Sequence, residues 1–528
     1  MWDPGPEGHT SGGGRGAQQR DHAGRSLVCP VSRPHTAPVR LWSLVLPLVA
    51  ACEATPPWWA RTARPREIAA AVLFVAPPGP DQASAAPADG SPDRPFSTIA
   101  EALRTAPAGA LVRIAEGSYA EALVVDRPMV LSGAGAAKTR LVAPPGQKGP
   151  VVRVQGDARV ELRDLAIEHA AVGVSAEGGA VRLQRVALRE LAESALVARD
   201  AEVAFFDGEV LAVGAATRSV AVRIEGGSLE MRRTVLRRSG RRAIEIRRAR
   251  GLLEAVQVSD VELAAVQALD GAEVTIEGGR FERIGGSALY AGAAKLIVRR
   301  ASVSEAEYGA VGFRGAELEL RDSELSDTRV ASVALVGARG LVDHCVLSRG
   351  GSDAAVSITE ASGTVRLVAN RIVQPGPLGV HVTHATVVAT DNSITGANLD
   401  REGDMGDGIY ALDADLSLER NEVRGNAGSG VTAARSRVRL LRNRFSSNGR
   451  AGLVLLDRSS ASANHNRFEG NRGPGVQVAE RSAATLLGNR FSGNLVYDVD
   501  PVCGGGGSVD VGAGNAFLGP AEPRRSCD

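Results

Sequence analysis

Two histidines, a tyrosine, an arginine and a cluster of carboxylates fall close together in one stretch of this 528-residue chain. His381 and Tyr410 are side chains that can give or take a proton in a reaction. His384, Asp413 and Arg435 each follow three residues after an outward strand position, so they form a line of alternating charge. The segment from Asn398 to Gly408, just before Tyr410, carries Asp400, Glu402, Asp404 and Asp407. Paired carboxylates can serve as acid and base in glycoside hydrolysis. Several oxygen donors on one loop can hold a hard cation, which makes calcium the one cofactor these residues suggest. The competing reading is an ordinary soluble acidic loop beside charged turns.

What must position these residues is a repeat. Asn-Arg-Phe occurs at Asn443–Phe445, Asn466–Phe468 and Asn489–Phe491, and a second asparagine follows each at Asn448, Asn471 and Asn494. Taking the apolar residue two places after the asparagine as an anchor, the register extends back to Ile167 and forward to Phe517, mostly in steps of 22 or 23 residues. A fixed period of this length marks stacked repeats rather than a compact domain. Short runs with period-two alternation, such as Val438-Arg439-Leu440 and Gly379-Val380-His381-Val382, are strands, and the Gly-rich breaks between them are turns. Three short strands per repeat make a coil, so the fold class is all-β: a single-stranded parallel β-helix. Low aromatic content (4%) and 62 glycines suit a narrow core with many bends. Asn370, Asn392, Asn421, Asn443, Asn466, Asn489 and Asn515 then form a ladder at one bend, where an amide can bond to the next coil and tolerate left-handed backbone angles. In this register His381 faces Tyr410, and His384, Asp413 and Arg435 are contiguous.

The chain resembles the bacterial right-handed parallel β-helix proteins of the pectin-lyase-like superfamily, over residues 71 to 519. The segment Gly90-Ser91-Pro92-Asp93-Arg94-Pro95-Phe96-Ser97-Thr98-Ile99, with Val112-Arg113-Ile114 and Gly117-Ser118-Tyr119-Ala120-Glu121 after it, is similar to the opening of such proteins and to a domain of unknown function found there. Thr98 and Glu101 read as a capping box. Ile99, Leu103 and Ala106 line one face of a short helix that would plug the first coil. The resemblance implies polysaccharide chemistry, but the paired-Asp and Gly-His-Gly signatures of polygalacturonases and the calcium ladder of pectate lyases are missing. No catalytic residue is therefore carried over.

The expected layout is a leader and lipoprotein-type signal at 1–52, a Pro/Ala-rich tether with the first strand at 53–95, the cap helix and first coils at 96–146, the β-helix at 147–519 and a tail at 520–528. Arg40 precedes an apolar stretch ending in Val49-Ala50-Ala51-Cys52, which fits lipidation at Cys52 and an exported cell-envelope location. The stretch is too short to span a membrane, so membrane contact is expected only through that anchor. Cys503 and Cys527 are expected to pair, as exported cysteines do. Cys345 reads as a small buried residue. Lys+Arg 61 against Asp+Glu 60 gives no reason to expect nucleic acid. Taken together, the sequence points to a monomeric envelope protein that binds polysaccharide or serves a structural role on its long face. A lyase, hydrolase or epimerase acting at His381 to Asp413, and a surface adhesion rod, are the alternatives.

Overall fold

The computed structural model describes residues 71–78, 87–214, 219–520 and 522–527. The proposed lipidation site Cys52, its signal and most of the tether lie outside them. The described chain is an all-β parallel solenoid in which each coil lays its strands on those of the coils before and after. One sheet alone runs through 19 strands. A representative coil has a first strand Arg437–Leu441, a second strand Arg444–Ser446 and a third strand Leu453–Leu456. Each pairs in parallel with its counterpart one coil on: Leu440 with Ala463, Phe445 with Phe468, Val454 with Gln477.

Alternation explains the core. In Arg437–Leu441, Val438 and Leu440 point in and Arg437 and Arg439 point out. The anchors from Ile167 to Phe491 are buried. Phe445, Phe468, Phe491 and Phe517 stack with ring centroids 5.2, 5.1 and 5.1 Å apart. Repeated side chains one strand spacing apart meet face to face in this way.

The expected asparagine ladder is present throughout its length. Asn443 Oδ1 accepts from the backbone N–H (2.8 Å) and Nδ2 (3.0 Å) of Asn421, while its own Nδ2 donates to Leu418 O (2.7 Å) and Asn466 Oδ1 (3.0 Å). The same bonds run from Asn370 through Asn392 to Asn515. These amides are buried where strand pairing is interrupted, so they take up backbone donors that would otherwise be orphaned. Cys345 occupies the preceding rung: its backbone N–H donates to Asn370 Oδ1 (2.9 Å) and its thiol, pushed up to about 11 by burial, lies 3.3 Å from Asp343 O. A second ladder, Asn426, Asn448, Asn471 and Asn494, lines the next bend. A serine ladder, Ser436, Ser459 and Ser482, lines the third.

Beside each inward rung sits an outward residue with left-handed backbone. At the third bend these are His384, Asp413, Arg435 and Asp457, with φ of 50°, 50°, 47° and 49°. Arg442 and His465 hold the matching place at the first bend.

One helix, Ile99–Thr105, buries Ile99, Ala102 and Leu103. Thr98 Oγ1 accepts from the Glu101 N–H (3.2 Å), the N-cap half of the expected capping box. The carboxylate that takes the first two helical amides is Glu121, which accepts from Ile99 N and Ala100 N at 2.8 Å each. This anion at the positive end of the helix accounts for the last residue of the Gly117–Glu121 segment. At the other end, Cys503 and Cys527 form a disulfide with a Cα–Cα distance of 5.3 Å.

Candidate functional site

The third strands carry the face on which the sequence placed its chemistry. Their outward column runs Gln267, Tyr290, Val311, Ala334, Ser357, His381, Tyr410, Thr432, Val454 and Gln477, each paired with the next. A parallel column two residues on runs Leu269, Gly292, Phe313, Val336, Thr359, Thr383, Leu412, Ala434 and Leu456. None of these residues is a lysine, arginine, aspartate or glutamate. At about 4.8 Å per strand, the nine steps from Gln267 to Gln477 make an uncharged strip about 43 Å long. Before Gln267 the same column holds Arg223 and Glu245, and after Gln477 it holds Asp500. The first-strand face differs sharply: Glu273, Lys295, Glu317 and Arg339 alternate in sign along it, with Lys295 Nζ 2.9 Å from Glu317.

Aromatic rings interrupt the strip. Tyr290 and Phe313 lie 6.5 Å apart at 30°. His381 and Tyr410 meet edge to face at 5.8 Å, as the register predicted. Serine and threonine hydroxyls lie between them.

His381 is held by polar groups at both ring nitrogens. Its Nδ1 lies 3.3 Å from Asp353 Oδ1 and its Nε2 lies 3.3 Å from Thr383 Oγ1. Burial raises the Asp353 carboxyl, but hydrogen bonds from His381 and Ser357 outweigh it and hold it below its usual value. The arrangement orients the imidazole through one nitrogen and leaves the other facing a hydroxyl, which suits proton transfer or hydroxyl recognition. Asp353 escaped sequence reasoning because it lies 28 residues before His381, at the end of a bend and outside the strand columns. The offset to its coil's outward position, Ser357, was the only available signal.

His384, Asp413 and Arg435 come together at a bend, as expected. Arg435 donates to both Asp413 oxygens (2.9 and 3.0 Å) and to Asp457 (2.6 Å), and His384 Nε2 lies 3.6 Å from Asp413. The Arg435 pair holds the Asp413 carboxyl below its usual range. The same pairing recurs at other bends, in Asp164–Arg185, Asp207–Arg233, Asp260–Arg283, Asp327–Arg349 and Asp391–Arg420. This line is thus one of a set of charge ladders on left-handed bend residues, and its partners are each other rather than His381.

The acidic loop departs from the expectation of a calcium site. Asp400 Oδ1 accepts from Asp404 N (2.8 Å) and Met405 N (3.2 Å), so it closes the loop on itself. Asp407 turns inward, is buried, and accepts from Ser429 N at 2.5 Å. Its carboxyl is pushed up by burial, with the Ser429 amide and Thr432 hydroxyl opposing. Asp400, Glu402, Asp404 and Asp407 therefore do not converge, and among the described residues no group of three or more His, Cys, Asp or Glu could hold a metal ion. The loop is fixed instead by Arg450, which donates to Gly403 O and Asp404 O at 3.0 Å each.

Four arginines of the stretch from Arg237 to Arg250 are ion-paired. Arg241, Arg247, Arg248 and Arg250 meet Glu262, Glu245, Glu225 and Glu273.

This architecture is that of a β-helix repeat protein. A family model described as a right-handed β-helix region matches residues 341–496. No curated protein matches the chain. Among solved structures it is similar to the A-module of the mannuronan C-5 epimerase AlgE6 of Azotobacter vinelandii, at 12% identity over 81% of this chain and 93% of that one, TM-score 0.22. It is also similar to the lacto-N-biosidase of Eubacterium ramulus, at 12% identity over 66% and 67%, TM-score 0.33. A third is the pectate lyase Pel9A, at 11% over 80% and 76%, TM-score 0.23. Likenesses this distant carry nothing about what this chain acts on.

Proposed function

We propose that this is an exported cell-envelope protein that binds polysaccharide along its third-strand face. The observation that carries the reading is the strip from Gln267 to Gln477. It is uncharged and studded with aromatic rings and hydroxyls, on a molecule whose other faces are laced with ion pairs. Sugars present alternating apolar C–H faces and hydroxyl edges, so stacking platforms flanked by donors and acceptors suit them. Lipid anchoring at Cys52 would hold the face at a membrane surface, and the helix Ile99–Thr105 would close the first coil. The Cys503–Cys527 bridge agrees with an oxidising location. A glycan array with the purified chain tests the binding, and Tyr410→Ala and Tyr290→Ala are expected to weaken it about tenfold each, the worth of one aromatic contact. Wild-type retention unchanged by both variants would refute the assignment to this face. For the anchor, Cys52→Ser is expected to move the protein from the membrane to the soluble fraction.

A second reading is favoured by one observation, the Asp353–His381–Thr383 line. It would make His381 the proton-transferring group of a glycan-modifying enzyme, with Asp353 as its positioning residue. Turnover of a bound glycan that is lost in His381→Ala and reduced in Asp353→Asn would establish it, and binding without turnover would exclude it.

A further inference from the structure

The charge pattern of the strip narrows its ligand. We infer that the ligand is an uncharged glycan lying along the coil axis rather than a polyuronate; this rests on the glycan-binding reading above. A polyuronate brings a carboxylate on every sugar. Moving such a group onto a surface without a lysine or arginine removes its hydration and returns only hydrogen bonds from neutral donors, with no opposite charge. Over nine register steps the outward third-strand residues offer no lysine or arginine.

Three of the arginines that flank the strip are already engaged. Arg435 is shared between Asp413 and Asp457, Arg450 holds two loop carbonyls, and Arg314 lies over the Phe313 ring at 5.0 Å. Of the carboxylates that reach the strip, Asp407 is buried and bonded to Thr432, while Asp353 is partly exposed and would repel a polyanion. A neutral chain meets none of these costs. Tyr290 and Tyr410 lie five register steps apart, about 24 Å at the strand spacing, so one extended chain can stack on both. Ser357 and Thr383 lie between them to accept or donate hydrogen bonds.

The test is affinity electrophoresis of the full chain through gels containing a neutral β-glucan, a galactomannan, polygalacturonate or alginate, at low and high salt. Expected is retardation by at least one neutral polymer, unchanged by salt. Tyr410→Ala should reduce it about tenfold, Tyr410→Phe should restore it, and Lys295→Ala on the opposite face should leave it intact. Each variant is checked by its thermal unfolding. Retardation by the polyuronates alone, weakening as salt screens the charges, would overturn this inference and leave the glycan-binding reading standing. Retardation by none of the four would overturn both.

Discussion

At the scale of single residues, the chain is held by side chains that stand in for missing backbone partners. Each ladder asparagine satisfies a backbone N–H and a backbone carbonyl of the preceding coil, as Asn443 does for Asn421 N and Leu418 O, so its loss orphans two buried groups. Leaving a buried donor unpaired costs about 1–3 kcal/mol. Asn443→Ala is therefore expected to destabilise by about 2–4 kcal/mol in urea unfolding, counting both orphaned groups. Arg444→Ala, which removes the exposed pair with Glu469, should cost less than about 1 kcal/mol. Equal losses would show that the ladder contributes no more than the surface.

Asp498 behaves oppositely to the bend aspartates. It is fully buried, its Oδ1 accepts from Asn494 Nδ2 at 2.8 Å, and its Oδ2 has no protein partner. Burial pushes its carboxyl above the usual value, against the Asn494 bond. A folded-state value above the unfolded one means this group costs stability while ionised, and the cost fades as pH falls through the folded value. Asp498→Asn should thus be more stable than the wild type at neutral pH. The gain should shrink on acidification toward about pH 4, near the unfolded carboxyl value. A variant less stable at neutral pH would show that the carboxylate has a compensating partner. Asp164, Asp207 and Asp413, held low by their arginines, add stability above the unfolded value and lose it as pH falls through the folded one.

At the scale of elements, loops are set by what grips them rather than by their own composition. The acidic loop looks like a cation site in sequence because four carboxylates crowd eight residues. In the structure Asp400 answers the loop's own amides, Asp407 answers Ser429, and Arg450 clamps the whole from outside. Arg450→Ala should free the loop and speed tryptic cleavage after Arg401, with little change in global unfolding. An unchanged cleavage rate would mean the clamp is dispensable. This also shows where the sequence was legible. Strand alternation and the asparagine period are properties of side-chain type at fixed spacing, so Asn370 to Asn515 and the His381–Tyr410 pair could be read directly. The bend line of His384, Asp413 and Arg435 followed from the same spacing, but its left-handed backbone did not, because arginine, glutamate and alanine occupy equivalent bend positions as well as aspartate and histidine. The serine ladder at Ser436, Ser459 and Ser482 was hidden because serine is equally common in plain turns. Asp353 was hidden because its partner comes from the next coil across an irregular bend. The aromatic and neutral character of the strip is present in the outward column of the sequence, whereas the charged residues lie at its edge.

At the scale of the whole molecule, stacked coils touch only their neighbours, so stability is close to a sum of local interfaces and the ends are the weak points. At the C-terminal end, the strand Glu522–Arg524 is exposed along its length and pairs with Tyr497–Pro501 at only two positions, Tyr497↔Glu522 and Val499↔Arg524. Arg525 adds a contact over the Tyr497 ring at 5.8 Å and one to Asp500 at 3.5 Å. So little buried surface does not hold a strand in place, and the Cys503–Cys527 bridge supplies the rest. Closing a loop of 24 residues is worth about 3 kcal/mol. With nearest-neighbour energetics, that loss should be felt locally. Reduction, or Cys503→Ser with Cys527→Ser, is expected to speed amide exchange in Tyr497–Pro501 and Ala516–Phe517 while leaving the coils around Asn370 and Asn392 as protected as before. Released in this way, the edge at Tyr497–Pro501 would present unpaired backbone groups, and the reduced protein should associate at concentrations where the oxidised one does not. Uniform loss of protection along the chain would show that the coils unfold as one cooperative unit and that the end bridge stabilises all of them together.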